Sequence, residues 1–400
     1  MRASAVTLLL ATAGLVLMAG RDPVAQVDPR SLPLLDPAVF DELTEASFTY
    51  DWHDGAGGDI SYGGGALGVS EDGNFLYISC ARDDSGIAKL EIPADGERAP
   101  VVAPCRGPVR TTMSVIHPDP TAFRPMLGGV LEQDGRICVS AYISYDADGG
   151  ARLSHWCGRS LTSLDGPFAG TVSPGLVGGP MVPVPKEWRE ALGGPALTSL
   201  YLRSIVSRSS FGFTASVFDP ATATRSPIDM QMLVGCPNSE EACHTYGSPT
   251  SNDYNGSELS GGYFIAPGTR TLVAIERESS GPTCYGYATR FQTLQGQPYK
   301  DAVYCYSLSD PLDIKGPKGY PYRLVAKLYD LNDLAAVHAG EKAPWDFRQY
   351  ATIDMPASSP SEFVTSGAFN PIRGEHYLLR NVGGGENTVY IYRGFPTVTP

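Results

Sequence analysis

Short runs of mostly apolar residues, bounded by polar turn residues, dominate the chain. Phe75-Leu76-Tyr77-Ile78, Ile137-Cys138-Val139-Ser140, Leu202 to Val206, Leu272-Val273-Ala274-Ile275 and Tyr377-Leu378-Leu379 have the length and side-chain types of strands. Helical signals are few. Pro185 to Leu192 predicts a short helix with Pro in its first turn and Gly193 as a stop. Leu331 to Ala339 predicts another, with Asn332 as its cap and Gly340 as its stop.

The strands recur in one order: a small-residue step, an apolar strand, a turn, a second strand, a polar hairpin. Gly63 to Ser70, the turn Glu71 to Asn74 and the strand Phe75 to Cys80 form the first copy. Gly128 to Leu131, Gln133 to Gly135 and Ile137 to Ala141 form the second. The third is weak at its start and ends Ile205 to Gly212. Gly261 to Ile265, Pro267-Gly268 and Leu272 to Ile275 form the fourth; Gly367 to Phe369, Arg373-Gly374 and Tyr377 to Leu379 form the fifth. After the second strand stands Arg82, Arg208, Arg277 or Arg380, each four residues before a Gly, with Tyr142 in that place in the second copy. Small sheets of this size cannot bury both faces alone, so the pattern predicts an all-β, single β-propeller with a few short helices in its loops. Five blades are expected. The long interval before Arg380 leaves room for a sixth, or for outer strands around Tyr322 to Tyr329 and Tyr350 to Met355. The last copy lacks a strand, which Ser47 to Trp52 would supply, closing the ring. An irregular β-sandwich is the alternative.

Composition agrees. Gly (45) and Pro (33) are abundant in 400 residues, and only 18% are charged. The net charge of −13 argues against a broad nucleic-acid-binding surface. Arg2 followed by the uncharged stretch Ala3 to Gly20 reads as a secretory signal over residues 1–20, an uncleaved membrane anchor being the alternative. Residues 21–45 then read as a linker and 46–400 as the propeller, secreted or periplasmic. All eight Cys follow the signal, so disulfides are expected and no metal. Cys138 and Cys157 lie equidistant from the turn Asp146 to Gly150, and Cys284 and Cys305 from the region of Gly296, as in facing arms of two hairpins. Cys236 with Cys243 would close a short loop, leaving Cys80 with Cys105.

Val139 to Tyr145, Leu153 to Trp156, Gly194 to Gly212, Gly268 to Gly286 and Tyr320 to Asp346 resemble a group of secreted bacterial proteins with propeller-like repeats. The resemblance implies export and a shared fold. It carries no activity and no site residues.

The repeated arginines are candidates for a guanidinium ring at the channel mouth, suited to carboxylate, sulfate or phosphate groups. The expected ligand is an anionic extracellular polysaccharide or another polyanion, and no cofactor is expected. Elimination of a uronate polymer would need such a cation, a base and an acid; His53 is the candidate base, Tyr142 and Tyr145 candidate acids, and His117 a second base. Hydrolysis would need facing carboxylates, for which Asp51, Asp54, Asp59, Asp83 and Glu276 are donors. The same arginines equally suit a structural role, tying blade to blade. Asp146 to Gly150 has a faint calcium-loop pattern but reads better as a hairpin turn. Tyr285, Tyr287 and Trp52 are possible stacking platforms. The competing function is a non-catalytic propeller that binds or scaffolds another protein. It predicts arginines spent in ion pairs and an exposed apolar patch elsewhere.

Overall fold

The computed structural model describes residues 27–398 except 52, 54–59, 61–64, 81–85, 107–108, 120–124, 144, 202–208, 245–255, 311, 357–362 and 382–386. The expected signal lies outside the described residues.

Five largely antiparallel sheets follow one another along the chain. The strands of blade 1 are β2 (Leu67–Val69), β3 (Phe75–Ser79), β4 (Ile87–Glu91) and β6 (Val101–Arg106). Those of blade 2 are β7 (Pro125–Gln133), β8 (Arg136–Ile143), β9 (His155–Gly158) and β10 (Leu164–Phe168). Blade 3 holds β11 (Met181–Pro183), β12 (Ala196–Thr198), β13 (Ala215–Phe218) and β14 (Met230–Val234). Blade 4 holds β15 (Leu259–Ile265), β16 (Thr271–Ser279), β21 (Tyr322–Asp330) and β22 (Gln349–Asp354). Blade 5 joins both ends of the chain: β23 (Phe363–Asn370), β24 (Glu375–Asn381) and β25 (Thr388–Arg393) pair onward to β1 (Thr44–Tyr50), whose other edge takes the short β5 (Arg98–Ala99). The expected closing strand is therefore present, running from Thr44↔Arg393 to Thr49↔Thr388.

The sheets wheel about one axis. The first strands contact in the cycle β2, β7, β11, β15, β23 and back to β2. Each neighbouring pair of blades encloses its own apolar core: Leu76 with Tyr377, Val130 with Tyr77, Cys138 with Met181, Phe213 with Tyr263, and Phe264 with Phe369. A five-fold ring brings the first strands close at the axis, and the small-residue steps make that possible. A Cβ on Gly128 would sit 1.9 Å from the Gly178 carbonyl oxygen, and one on Gly367 1.7 Å from that of Gly261. This ring of seams excludes the irregular sandwich.

Polar side chains cross the same seams. Ser140 Oγ donates to the Gly179 carbonyl at 2.6 Å, and Asn370 Nδ2 to that of Gly73 at 2.9 Å. His155 Nε2 lies 3.1 Å from Thr198 Oγ1, which itself donates to the Val177 carbonyl at 2.7 Å. Thr198 has spent its proton, so Nε2–H donates and Nδ1 accepts from Ser154 Oγ at 2.8 Å. His376 Nε2 donates to the Gly261 carbonyl at 3.1 Å.

Several expectations change. The second strand of blade 3 is Ala196–Thr198; Leu202 to Val206 lies outside the described residues. The helix Leu331–His338 is capped by Asp330, whose carboxylate accepts from the Asn332 N–H, and not by Asn332. The described part of the expected linker is packed. Leu35 N–H donates to Thr271 Oγ1 at 2.9 Å, the Arg270 N–H to the Pro33 carbonyl at 3.0 Å, and buried Phe40 meets Phe395 edge-on at 5.5 Å. The segment straps blade 4 to blade 5 just before β1 enters.

The long last interval holds the outer strands β21 and β22, and also a sixth sheet that is not a blade. Its strands are β17 (Cys284–Thr289), β18 (Pro298–Tyr299), β19 (Ala302–Tyr306) and β20 (Lys315–Lys318), ordered β18-β19-β17-β20. It is inserted between the second and third strands of blade 4.

The four expected cysteine pairs are bonded: Cys80–Cys105, Cys138–Cys157, Cys236–Cys243 and Cys284–Cys305. Cys138 and Cys157 face each other across β8 and β9 as arms of one hairpin. Cys284 and Cys305 do not, because β17 and β19 run parallel. Four disulfides suit an oxidising compartment.

Candidate functional site

Loops joining second to third strands open on the face where first strands begin. That face carries Arg277 and the inserted sheet. Arg82 and Arg208 lie outside the described residues, and Arg380 lies in β24. Arg277, near the end of β16, is described in full and is 3% exposed. Its Nη2 donates to the Ser257 carbonyl at 3.0 Å and sits 3.6 Å from Asp310 Oδ1. Its guanidinium lies 3.8 Å from the centre of the Tyr322 ring. Asp310 also accepts from Ser307 Oγ at 2.8 Å and from the Tyr322 hydroxyl. Burial pushes that hydroxyl above its ordinary range. Ser307 and Asp310 belong to the insertion, Arg277 and Tyr322 to the blade. Arg277 thus anchors the insertion; it does not stand open at the channel mouth.

Tyr142, which holds the corresponding place in blade 2, has a different neighbour. Tyr142 is buried, its ring 4.8 Å from that of Tyr201. Tyr201 follows β12 by three residues, as Arg82 follows β3, so it holds the blade-3 place that the sequence pattern gave to Arg208. The two rings line a cavity of about 10 Å³ with Ile116 and Asp146. His53 is exposed in an isolated bridge, and Tyr145 is exposed on the blade-2 loop. The described contacts do not bring His53, Tyr142 and Tyr145 together.

His117, Asp146 and Asp148 do converge, in a grouping that sequence reading divided between a base candidate and a turn. His117 Nε2 lies 3.0 Å from Asp148 Oδ1 and 3.7 Å from Asp146 Oδ1. Its Nδ1 accepts from the Asp119 N–H at 2.9 Å. With Nδ1 accepting, the neutral ring carries its proton on Nε2 and donates it to the carboxylates. Nε2 then offers no lone pair to a metal or to a substrate proton. Asp146 and Asp148 also accept from Ala151 and Gly150 N–H at 3.2 and 2.9 Å, which is turn chemistry.

The Glu276-Arg277-Glu278 run splits by strand alternation. Arg277 faces blade 5, while Glu276 and Glu278 face blade 3 and meet Lys327 at 2.8 and 3.5 Å. Glu258 joins at 3.6 Å. Burial pulls Lys327 down, but Glu276 and Glu258 outweigh it and hold the ammonium well above its ordinary value. This network is largely buried. It lines a cavity of about 40 Å³ with Phe213, Tyr329 and Trp345, room for a few waters. A carboxylate bonded to a permanent ammonium is a poor general acid. Of the other proposed carboxylates, Asp51 is exposed and pairs with Arg98; Asp54, Asp59 and Asp83 lie outside the described residues.

The inserted sheet differs from every blade. Alternation puts Tyr285, Tyr287, Tyr304 and Lys315 on one face. Tyr299 stacks on Tyr304 at 4.2 Å and meets Tyr287 edge-on at 5.3 Å. Lys300 lies 4.9 and 5.0 Å from the Tyr287 and Tyr299 ring centres, and Lys315 5.7 Å from that of Tyr285. Asp301 accepts from Tyr287 and Lys315, at 2.7 and 2.8 Å; Asp313 accepts from Tyr299 and Lys300, at 3.1 and 3.2 Å. Those bonds pull Asp301 down to about 2 and push Lys315 up. Four apolar side chains of the insertion are exposed: Phe291 (67%), Tyr285 (63%), Ile314 (56%) and Leu312 (54%).

No protein-family model matches the chain, and no curated protein matches it in sequence. Solved structures similar to it are propellers or propeller-like at low likeness. A luciferin-regenerating enzyme is 10% identical with a TM-score of 0.35, covering 83% of this chain and 78% of that one. The PQQ domain of pyranose dehydrogenase from Coprinopsis cinerea is 9% identical, also at 0.35, covering 84% and 93%. The β-propeller domain of Cps50 (Swd1) from Myceliophteria thermophila is 8% identical at 0.28, covering 84% and 83%. Likeness of that order carries no argument about activity, and the assignment to the propellers rests on the closed five-seam ring itself.

Proposed function

We propose that the chain is a non-catalytic β-propeller, secreted or periplasmic, that binds a protein partner through the inserted sheet. The observation that carries this reading is the exposure of Tyr285, Phe291, Leu312 and Ile314 on the disulfide-linked insertion, outside all five cores. Rigid tyrosines give large contact area at low entropic cost, and exposed aliphatic side chains beside them suit a protein better than a sugar. The ring is the platform, and the Arg277–Asp310 pair fixes the sheet to it. Binding of an anionic polysaccharide needs guanidinium groups free to meet the ligand, and Arg277 is already spent on Asp310 and Ser257.

Two measurements test this. A photo-crosslinking residue in place of Tyr285 or Ile314, in the native host, is expected to yield protein adducts that the same residue at exposed Val115 does not. The mature protein is expected to pass unretained through uronate-rich and neutral polysaccharide columns and to form no unsaturated uronate. Retention that persists after residues 283–319 are replaced by a short linker, with no adduct at 285 or 314, would return the reading to a glycan at the ring.

A further inference from the structure

Several tyrosines of this chain donate their hydroxyl to a carboxylate. Tyr77, Tyr322 and Tyr377 donate to Glu132, Asp310 and Glu375, and all three are buried. On the inserted sheet the same bond is made within reach of solvent. Tyr287 donates to Asp301 at 2.7 Å and Tyr299 to Asp313 at 3.1 Å. Both tyrosines and Tyr304 are partly exposed, and both aspartates are exposed. At such distances a carboxylate can take the phenol's proton without any rearrangement.

This geometry readies a phenol to lose an electron. A tyrosine that gives one up becomes a far stronger acid than a carboxylic acid, so its proton leaves as well when a base is already in place. The neighbouring cation makes that proton transfer necessary. Lys300 stands 4.9 and 5.0 Å from the ring centres of Tyr287 and Tyr299 and disfavours a positive ring, whereas a ring that has passed its proton to aspartate is neutral. The rings also touch one another. Tyr299 stacks on Tyr304 at 4.2 Å and meets Tyr287 edge-on at 5.3 Å, so a radical formed on one has a phenol in contact with it.

We propose that Tyr287, Tyr299 and Tyr304 form a one-electron oxidation site that consumes peroxyl radicals and closes to a dityrosine between Tyr299 and Tyr304. The phenolic O–H of Tyr299 breaks; its electron passes to the peroxyl radical and its proton to Asp313. The peroxide anion so formed takes a proton back through water, which leaves a hydroperoxide and restores the carboxylate. A second peroxyl radical oxidises Tyr304, whose proton goes to solvent. The two rings then join at their ortho carbons, and the two displaced ring hydrogens move to the phenol oxygens. Two peroxyl radicals are reduced to hydroperoxides for each carbon–carbon bond formed. No protein partner enters this chemistry, so it stands or falls separately from the binding function.

The test exposes the intact protein, dilute enough that chains rarely meet, to a water-soluble azo initiator that releases peroxyl radicals, and maps the peptides. Tyr285 and Tyr145 are internal controls, 63% and 58% exposed and without a hydrogen bond to a described carboxylate. Exposure alone would make these two the fastest to react. Instead, Tyr287 and Tyr299 are expected to be consumed on the order of tenfold faster than either control. The monomer should carry a cross-linked peptide pair joining Tyr299 to Tyr304. Asp313→Asn keeps an acceptor but removes the base, and should slow Tyr299 while leaving Tyr287 unchanged; Tyr304→Phe should abolish the cross-link. Consumption of Tyr285 or Tyr145 as fast as Tyr299, or dityrosine found only between chains, would overturn the proposal. The wild-type comparison decides this even where a variant fails to fold.

Discussion

Blade 4 and the sheet inserted into it are neighbours along one chain, yet they are stabilised in opposite ways. In the blade, Phe264, Val273 and Leu328 face blade 5 while Tyr263, Leu272 and Tyr329 face blade 3, so both surfaces lie inside apolar cores. The inserted sheet contributes no residue to any of the five cores; Cys305 and Ala288 are buried, but its tyrosines remain at least partly open. A disulfide, a buried ion pair and a bonded Tyr–Asp–Lys face hold it. A sheet can therefore be specified without a hydrophobic core, but what it leaves uncovered is surface available for recognition.

The comparison breaks most sharply at the axis. Gly367→Val drives a side chain into the Gly261 carbonyl, and no soluble, cooperatively folded ring is expected; expression and chemical melts check this. Next is Phe48→Ala at the closing seam, where losing a buried ring costs about 3–5 kcal/mol in a urea melt, whereas Tyr285→Ala should cost under about 0.5 kcal/mol and reduce only crosslinking. Arg277→Ala leaves Asp310 buried without its cation and should free the insertion to proteases, at a cost of about 3–5 kcal/mol.

Acid separates the two regions further. Burial holds His155 down at about 3 and His376 at about 4, against 6.5 unfolded. Between those values the unfolded chain takes up protons that the folded ring refuses. The stabilisation is full above pH 6.5 and is lost as pH falls toward 4 and then 3, on the order of 3–5 kcal/mol for each imidazole. His376→Gln should flatten that slope in melts from pH 7 to 4. On the insertion, Asp301 stays ionised down to about 2, so its tyrosine face should outlast the seams; tyrosine fluorescence against far-UV dichroism checks the order. The smallest effect is Cys284→Ser with Cys305→Ser, expected to leave the ring's melting point within a few degrees while exposing residues 283–319 to proteolysis.

What was legible in the sequence follows distance along the chain. Glycine steps, turn residues and apolar strands are local, and they gave the repeat, the five blades and the closing strand. Cys138 and Cys157 were readable because one hairpin joins them. Blade 3 was misplaced because Ala196-Leu197-Thr198 is three residues long and follows Pro195, while Leu202 to Val206 looks more like a strand. Leu35, Phe40 and Leu43 sat among Pro and Asp and so read as linker, although their partners lie in blades 4 and 5. The partners of Arg277, Ser257, Asp310 and Tyr322, come from three separate stretches, and no local spacing announces them. The cluster at His117 was hidden similarly, its two aspartates lying in a turn of their own.

Blade 5 is assembled from opposite ends of the polypeptide, with Thr388–Arg393 laid beside Thr44–Tyr50. During synthesis the edge of the first strand that takes Thr388–Arg393 waits until those residues have emerged. The native ring is thus a late event, and the polypeptide stays threadable for as long as its two ends are apart. Cutting between residues 50 and 388 need not open the circle, whereas trimming either terminus past these strands removes its clasp.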